Sequence, residues 1–427
     1  MGKRVTWKTR AVSISRKHTE NTSEFFAKHF VDRNRILDEE SVKKELANEA
    51  DKLRVKDSFE ESSKPHRRRR AHWSNYRPLG AAEVGRISSF EKLSRMLANE
   101  VHLYAKGGDK GRVDMFESQL SDLLVPSGDV CSKEMVGIVK CIYQLSIVDS
   151  ITPGLISRLL GKIEIKQLKP RNVVYLLEAL SRLRFRDHRV LDYVDSISLC
   201  WPTFQKNELF LIVKAANAIA RLDVGRSSPF LGGLVGSFSE ILPLLSRVQL
   251  ERIKAVTVVE LFDDLMLIDY FVLCEARKIE YRRSLILVFL KFRSRADLMK
   301  KVPLPVREWI EEIVRTDAEI RRSSVASSNE EIVWSSPLHR EVAEAVPEAV
   351  PCRVCGPLVL DLVFPNKNSF AIEACDKYQF YRQTRKLTSE ARLRHELIRS
   401  LGFELFLIPY FEWRTNQAQI LQKIPRK

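Results

Sequence analysis

The sequence predicts a multidomain chain, α plus α/β in class: an array of helical hairpins (an α-solenoid) followed by a small C-terminal α/β domain. Three observations predict it. Apolar residues recur with helical spacing from near Ser88 to about Arg322, and the pattern repeats itself at a near-constant interval. Past a Ser-rich connector, the spacing changes to that of short strands and helices. Ahead of both, the chain is polar and charge-rich with no sustained period. These changes divide the 427 residues into an N-terminal region, 1–84, a repeat array, 85–322, a linker, 323–335, and a C-terminal domain, 336–427.

The N-terminal region is expected to be mostly disordered, because it holds too little apolar surface to offset the entropy of ordering. Residues 1–18 carry Lys3, Arg4, Lys8, Arg10, Arg16 and Lys17 with no acidic residue, a composition that suits an organellar transit peptide and equally an ordinary basic tail. Further on, Lys64-Pro65-His66-Arg67-Arg68-Arg69-Arg70 is the densest run of charge. Such a run can serve as a nuclear import signal or an RNA-binding arm, and in a disordered tail it is more often simply solvated.

Four windows align within the array: 138–149 (IVKCIYQLSIVD), 176–187 (LLEALSRLRFRD), 212–223 (IVKAANAIARLD) and 252–263 (RIKAVTVVELFD). Their closing aspartates, Asp149, Asp187, Asp223 and Asp263, recur at intervals of about 36 to 40 residues, the span of a two-helix repeat. Apolar positions fall at i, i+3, i+4 and i+7, as in Ile138, Cys141, Ile142 and Leu145, so one helical face is buried. The small second position (Cys141, Ala179, Ala215, Ala255) lets neighbouring helices approach, while patches at 155–160 and 190–194 supply the second helix of a hairpin. Arg252 breaks the first apolar position of the fourth window, which marks that repeat as irregular or terminal. One polar column, Tyr143, Ser181, Asn217 and Thr257, takes the same place in each window and offers groups that hydrogen-bond or stack on a base; the alternative is a solvated helix face.

In the C-terminal domain, residues 358–364 (LVLDLVF) read as a buried strand, Pro365-Asn366-Lys367-Asn368 as a turn and 369–374 as a second strand. A helix from about Ser389 to Leu401 closes at Gly402, and 403–409 form a third strand. Ser336-Pro337-Leu338-His339-Arg340-Glu341-Val342, the Leu-Asp-Leu-Val-Phe-Pro strand, Ala371-Ile372-Glu373, Leu387-Thr388, Leu393-Arg394-His395, Leu401-Gly402-Phe403 and Ile408-Pro409-Tyr410-Phe411-Glu412-Trp413 follow one another in an order that resembles the RAP domain over about 90 residues. That family includes FAST kinase-like mitochondrial proteins and is numerous in apicomplexan parasites, and the upstream windows resemble the degenerate helical repeats that accompany it. The resemblance implies an RNA-binding protein of an organelle, the mitochondrion first, with plastid or nucleus as alternatives. It would act in RNA processing, stability or translation, its array holding single-stranded mRNA or rRNA and its RAP domain assisting. A structural rRNA-binding component of the organellar ribosome is an alternative.

The RAP fold also resembles a compact PD-(D/E)xK nuclease core, in which carboxylates on adjacent strands bind a divalent metal and activate water. That resemblance puts Asp361 and Glu373 in the ligand positions, and the chain would then be a metal-dependent ribonuclease. The chemistry asks for a Lys two residues after Glu373, where this chain has Cys375. Lys386 and Arg394 are the candidate replacements, although Arg is a poor base with a pKa above about 12. The family's Asp-Gly-Pro turn and following His are likewise replaced, by Cys375-Asp376-Lys377-Tyr378-Gln379-Phe380. The chain is therefore read as non-catalytic, with no cofactor and no metal. For RNA contact, Lys377, Arg382, Arg385, Lys386 and Arg394 interleave with Tyr378, Phe380 and Tyr381, since cations hold phosphates and rings stack on unpaired bases. Trp413 is read as a cap on the core.

Composition agrees with a polyanion as partner: the formal net charge is +16. No apolar run reaches the roughly 18 residues of a membrane span, and Lys214 interrupts the most apolar stretch, 210–222. Seven scattered cysteines without a secretory leader argue for a reducing compartment rather than a disulfide framework. Cys352-Arg353-Val354-Cys355 is a lone CxxC; Cys375 and His339 would make up four zinc ligands with it, but structural zinc sites show two spaced pairs, and these are read as ordinary thiols. No P-loop motif is present.

Overall fold

The computed structural model describes residues 80–105, 110–124, 130–196, 209–224, 236, 238–279, 283–327, 335–355, 357–364 and 370–424. The expectations for the basic leader at 1–18, the Arg67–Arg70 run and the turn at Pro365-Asn366-Lys367-Asn368 lie outside these residues. The described chain forms two units, one of residues 80–267 together with Phe380–Glu390, the other of 268–379 and 391–424.

The first unit is helical: α1 (Ala81–Val84), α2 (Phe90–Ala105), α3 (Lys110–Leu123), α4 (Ser132–Val148), α5 (Pro153–Gly161), α6 (Pro170–Arg182), α7 (His188–Ser196), α8 (Leu209–Leu222), α9 (Arg247–Glu251) and α10 (Ala255–Leu261). α2 packs on α4, α4 on α6, α6 on α8 and α8 on α10, so the window helices stack in chain order as a solenoid requires. Each buries the expected stripe; in α6 it is Val173, Val174, Leu176, Leu177, Ala179 and Leu180. At about 1.5–3 kcal/mol for each large apolar side chain removed from water, that stripe outweighs the weak intrinsic preference of so short a helix. α2 and α4 meet most closely at Gly137, where a Cβ would stand 2.6 Å from the Glu91 nitrogen and 2.7 Å from the Phe90 carbonyl carbon. The Glu134 carboxylate, one turn earlier in α4, accepts from the Phe90 N–H at 2.6 Å and so caps α2.

The aspartate register needs one correction. α4, α6 and α8 are followed by left-handed residues at Asp149, Arg184 and Asp223, with φ of 51°, 54° and 56°. After α6 and α8 the Phe185 and Val224 N–H groups reach back to the Leu180 and Ile219 carbonyls, the six-to-one bond of a Schellman motif. Asp187 lies beyond the second of these turns and caps α7 instead, accepting from the Arg189 and Val190 N–H groups at 3.0 and 3.3 Å. Asp263 likewise caps the next helix, α11 (Asp264–Ala276), through the Met266 N–H at 2.8 Å. Aspartate suits both a left-handed turn and an N-cap, so the sequence alignment joined two different roles. Measured from the turn, the partner of Tyr143 and Asn217 is Glu178, not Ser181.

The second unit continues with α12 (Arg283–Phe292), α13 (Ala296–Lys301) and α14 (Leu304–Ser327). Then come α15 (Pro337–Ala345), β1 (Val350–Cys355), β2 (Leu358–Val363), β3 (Phe370–Cys375), α16 (Ser389–Ser400, within this unit from Ala391), β4 (Glu404–Pro409) and α17 (Tyr410–Lys423). The sheet order is β1-β2-β3-β4, with the first two pairings antiparallel and β3 parallel to β4. Phe370, Ile372 and Ala374 alternate onto a core shared with Leu338, Val342, Ile408 and Trp413, so Trp413 lies in the core. Glu373 and Cys375 point to the other face. α16 ends where the sequence puts it, at Gly402 with φ 91°.

Candidate functional site

The register Leu362↔Ile372 and Val363↔Ala371 sets Asp361 opposite Glu373, so both carboxylates share one sheet face. Both are buried, Glu373 completely. Arg394 of α16 grips Glu373 with two bonds, Nε to Oε2 and Nη2 to Oε1, each 2.8 Å, and donates a further bond to the Val359 carbonyl at 2.5 Å. Asp361 is filled from other directions: its Oδ2 accepts from the Ala374 N–H at 3.0 Å and its Oδ1 from the Ser335 hydroxyl at 3.1 Å. Its own N–H donates to Glu373 Oε1 at 3.3 Å. Burial pushes both carboxyl pKa values up, and the Arg394 charge opposes that push.

His339 of α15 completes this centre. Its Nδ1 accepts from the Ser335 N–H at 3.2 Å, which leaves Nε2 to donate to the Asp361 carbonyl at 2.9 Å. Burial lowers its pKa to about 4, so the ring is neutral at ordinary pH. Behind Glu373, His395 is also held at about 4 by burial, with Nε2 4.0 Å from the Cys375 sulfur and Nδ1 without a hydrogen-bond partner among the described residues. Burial raises the Cys375 thiol well above its ordinary value, so Cys375 cannot replace the basic Lys of a nuclease core. Nor do the carboxylates suit a divalent ion: Arg394 supplies their counter-charge and takes both oxygens of Glu373. Among the described residues no group of three or more His, Cys, Asp or Glu is arranged to hold a metal. Cys352 and Cys355 lie on β1, a strand absent from the sequence reading.

The predicted RNA-contact residues of the C-terminal domain fall in three places. Lys377 and Tyr378 open a short 3₁₀ turn after β3; both are exposed, and the Lys377 ammonium stands 5.0 Å from the Tyr378 ring centre. Phe380, Tyr381, Arg382, Arg385 and Lys386 lie in the segment that belongs to the helical unit. Phe380 bridges to Leu387 and the Tyr381 N–H donates to the Lys386 carbonyl at 2.9 Å, making a hairpin turned at Gln383, φ 60°. Phe380 and Tyr381 are buried. The Tyr381 hydroxyl donates to the Arg221 carbonyl at 2.6 Å, and Arg186 covers its ring at 5.2 Å. Arg382 donates from its N–H to the Arg184 carbonyl at 2.9 Å and from Nη1 to the Ile151 carbonyl at 2.6 Å, and its Nη2 pairs with Asp149. Lys386 pairs with Asp223 at 2.5 Å, and Arg385 is exposed. Arg394 is part of the buried centre.

Three of the four polar-column residues, Tyr143, Asn217 and Thr257, bond across repeat seams. Thr257, fully buried, donates to Asn217 Oδ1 at 2.6 Å, the same oxygen accepts from the Lys254 N–H at 3.0 Å, and Asn217 Nδ2 donates to the Arg252 carbonyl at 2.9 Å. Ser181, buried, bonds back to the Glu178 carbonyl at 2.8 Å. Tyr143 is buried edge-on to Tyr175, its hydroxyl accepting from Lys214 at 3.2 Å, and Lys214 also pairs with Glu178.

The decisive comparison concerns the stretch of chain from β3 through α17. Residues 372–424 match the RAP domain family. The RAP match takes in Glu373, Cys375, the hairpin, Arg394, His395 and Trp413, and it stops short of Asp361 and His339, which β2 and α15 bring to the same centre. No curated protein matches the chain significantly. Missed by sequence reading were β1, α15 as a source of a buried His, and the turn aspartates as partners of the hairpin. Only α15 carried a local signal: Ser336 before Pro337, whose hydroxyl accepts from the His339 N–H at 3.1 Å as an N-cap.

Proposed function

We propose that this protein is a non-catalytic RNA-binding factor of an organelle, the mitochondrion, acting in the processing, stability or translation of its transcripts. The observation that carries the reading is the RAP domain match at 372–424. A net charge of +16 supports it, because phosphate contacts by Lys and Arg release counterions and dominate affinity for RNA. Lys377, Tyr378 and Arg385 are exposed cations and a ring of the kind that grips a single strand. The Arg394-neutralised carboxylates favour this reading over a metal-dependent ribonuclease.

The test is crosslinking of the tagged protein to RNA in its own cells, with sequencing of the attached fragments. Footprints on a few organellar transcripts are expected. Footprints confined to rRNA would shift the role to a structural component of the organellar ribosome, and recovery of no RNA above a mock control would overturn the proposal.

A further inference from the structure

Three consecutive repeats end in left-handed turns, at Asp149, Arg184 and Asp223, and the hairpin Phe380–Glu390 touches all three. The first turn offers a carboxylate and the Ile151 carbonyl to Arg382, the second its Arg184 carbonyl to the Arg382 N–H, and the third Asp223 to Lys386. The turns thus form a row of acceptors at repeat spacing, and the hairpin presents donors that fit it. Other charges share the row: Arg184 pairs with Asp149 at 3.2 Å and Arg186 with Asp223 at 3.4 Å. Arg382 and Lys386 are also two of the segment's cations, and one cation cannot hold a turn aspartate and an RNA phosphate in the same geometry at once.

We propose that the row of repeat turns is an internal docking surface for this hairpin, and that single-stranded RNA releases the hairpin by competing for Arg382 and Lys386. The proposal rests on the RNA-binding reading. The dock withholds cations that RNA uses, so the affinity observed is lowered by the fraction of chains with the hairpin docked. Lys386 is half-exposed, which leaves the third contact open to a competing phosphate.

The test uses the full chain and an unstructured oligoribonucleotide, with hydrogen exchange at the Arg382 amide, bonded to the Arg184 carbonyl, reporting the docked state. Two double variants attack the dock from opposite sides. Asp149→Asn with Asp223→Asn weakens it from the turns, where Asn tolerates the left-handed backbone. Arg382→Gln with Lys386→Gln weakens it from the hairpin. Both are expected to speed exchange about fivefold or more, the equivalent of removing roughly one surface ion pair. Their effects on RNA binding should oppose: the turn-side variant binds about fivefold more tightly than a control with the same charge change at exposed positions, Asp122→Asn with Asp192→Asn, and the hairpin-side variant binds more weakly. In the unsubstituted chain, saturating RNA should itself speed exchange at the Arg382 amide. RNA that binds while the Arg382 amide stays protected, or a turn-side variant no tighter than the control, overturns the dock. If no form of the chain binds RNA, the RNA reading fails, and this inference with it.

Discussion

The helical unit and the sheet unit both bury polar groups, but they satisfy them differently. In the helical unit the bonds are spread along the array, each joining a repeat to the next: Asn217 to Arg252, Lys254 and Thr257, and Glu134 to Phe90. In the sheet unit they converge on one place, where Ser335, His339, Asp361, Glu373 and Arg394 fill one another's valences on a single face of β2 and β3. A solenoid repeat contacts only its neighbours, so disruption of a seam stays local. In the small sheet, two buried carboxylates share the charge of one buried cation, Arg394.

That contrast is broken most directly at Arg394. Arg394→Ala leaves Glu373 fully buried with no counter-ion, and should cost about 3–5 kcal/mol. Native-state hydrogen exchange at the β3 amides reads the destabilisation, and exchange in α4 and α6 should not change. Replacing both partners, Arg394→Leu with Glu373→Leu, should recover much of it; a double variant as unstable as the single one would show that the ion pair is not what holds the centre.

Acid should probe the same centre. Burial holds His395 neutral in the folded unit with a pKa of about 4, against an ordinary 6.5. The unfolded chain therefore takes up the proton first, and this histidine's contribution is intact above pH 6.5 and falls as pH drops toward 4. Asp361 and Glu373, raised by burial, act in the opposite sense, since their folded forms hold protons more readily than the unfolded chain. Comparison with His395→Leu isolates the histidine: below pH 6.5 the unsubstituted chain should lose up to about 1.4 kcal/mol more per pH unit, roughly 3 kcal/mol in all, in denaturant titrations. Parallel slopes for the two proteins would mean that the fold leaves the His395 pKa where the unfolded chain has it.

In the array, Gly137→Ala drives a methyl group into the backbone of α2 at Phe90 and Glu91 and should cost about 1–3 kcal/mol, confined to exchange in α2 and α4. Asn217→Ala strands the Lys254 N–H and the Thr257 hydroxyl and should cost about 1–2 kcal/mol, felt in α8 and α10. Equal destabilisation of every repeat by either change would contradict a seam-by-seam account.

What could be read from the sequence follows the same division. Helical period and small residues at the second apolar position foretold stacked helices, and a Gly with a strand behind it foretold the end of α16, because these signals are local. The register of the repeats was misjudged at Asp187, since aspartate is favoured both in a left-handed turn and at an N-cap and only backbone bonds tell them apart. β1 was hidden because Val-Pro-Cys-Arg-Val-Cys is an edge strand containing Pro351 and a left-handed Cys352, with no clean alternation. Asp361 and Glu373 were found by resemblance, and Arg394 was named as a cation without its partner. The pairing of Arg382 with Asp149 spans 233 residues, and no periodicity or motif carries information across such a distance.

The smallest effect on folding is expected where neither arrangement reaches. Lys377 and Tyr378 are exposed on a 3₁₀ turn outside the buried centre, so Lys377→Gln and Tyr378→Ala should leave stability within about 0.5 kcal/mol. Their value lies in how their effects on RNA binding differ. If Lys377 neutralises a phosphate, Lys377→Gln reduces the slope of log affinity against log salt by about 0.7 for a single strand. If Tyr378 stacks on a base, Tyr378→Ala costs about 1–3 kcal/mol of affinity and leaves the salt slope unchanged. Binding measured across a salt series separates the two, and an unchanged affinity in both variants would move the RNA-binding surface away from this turn.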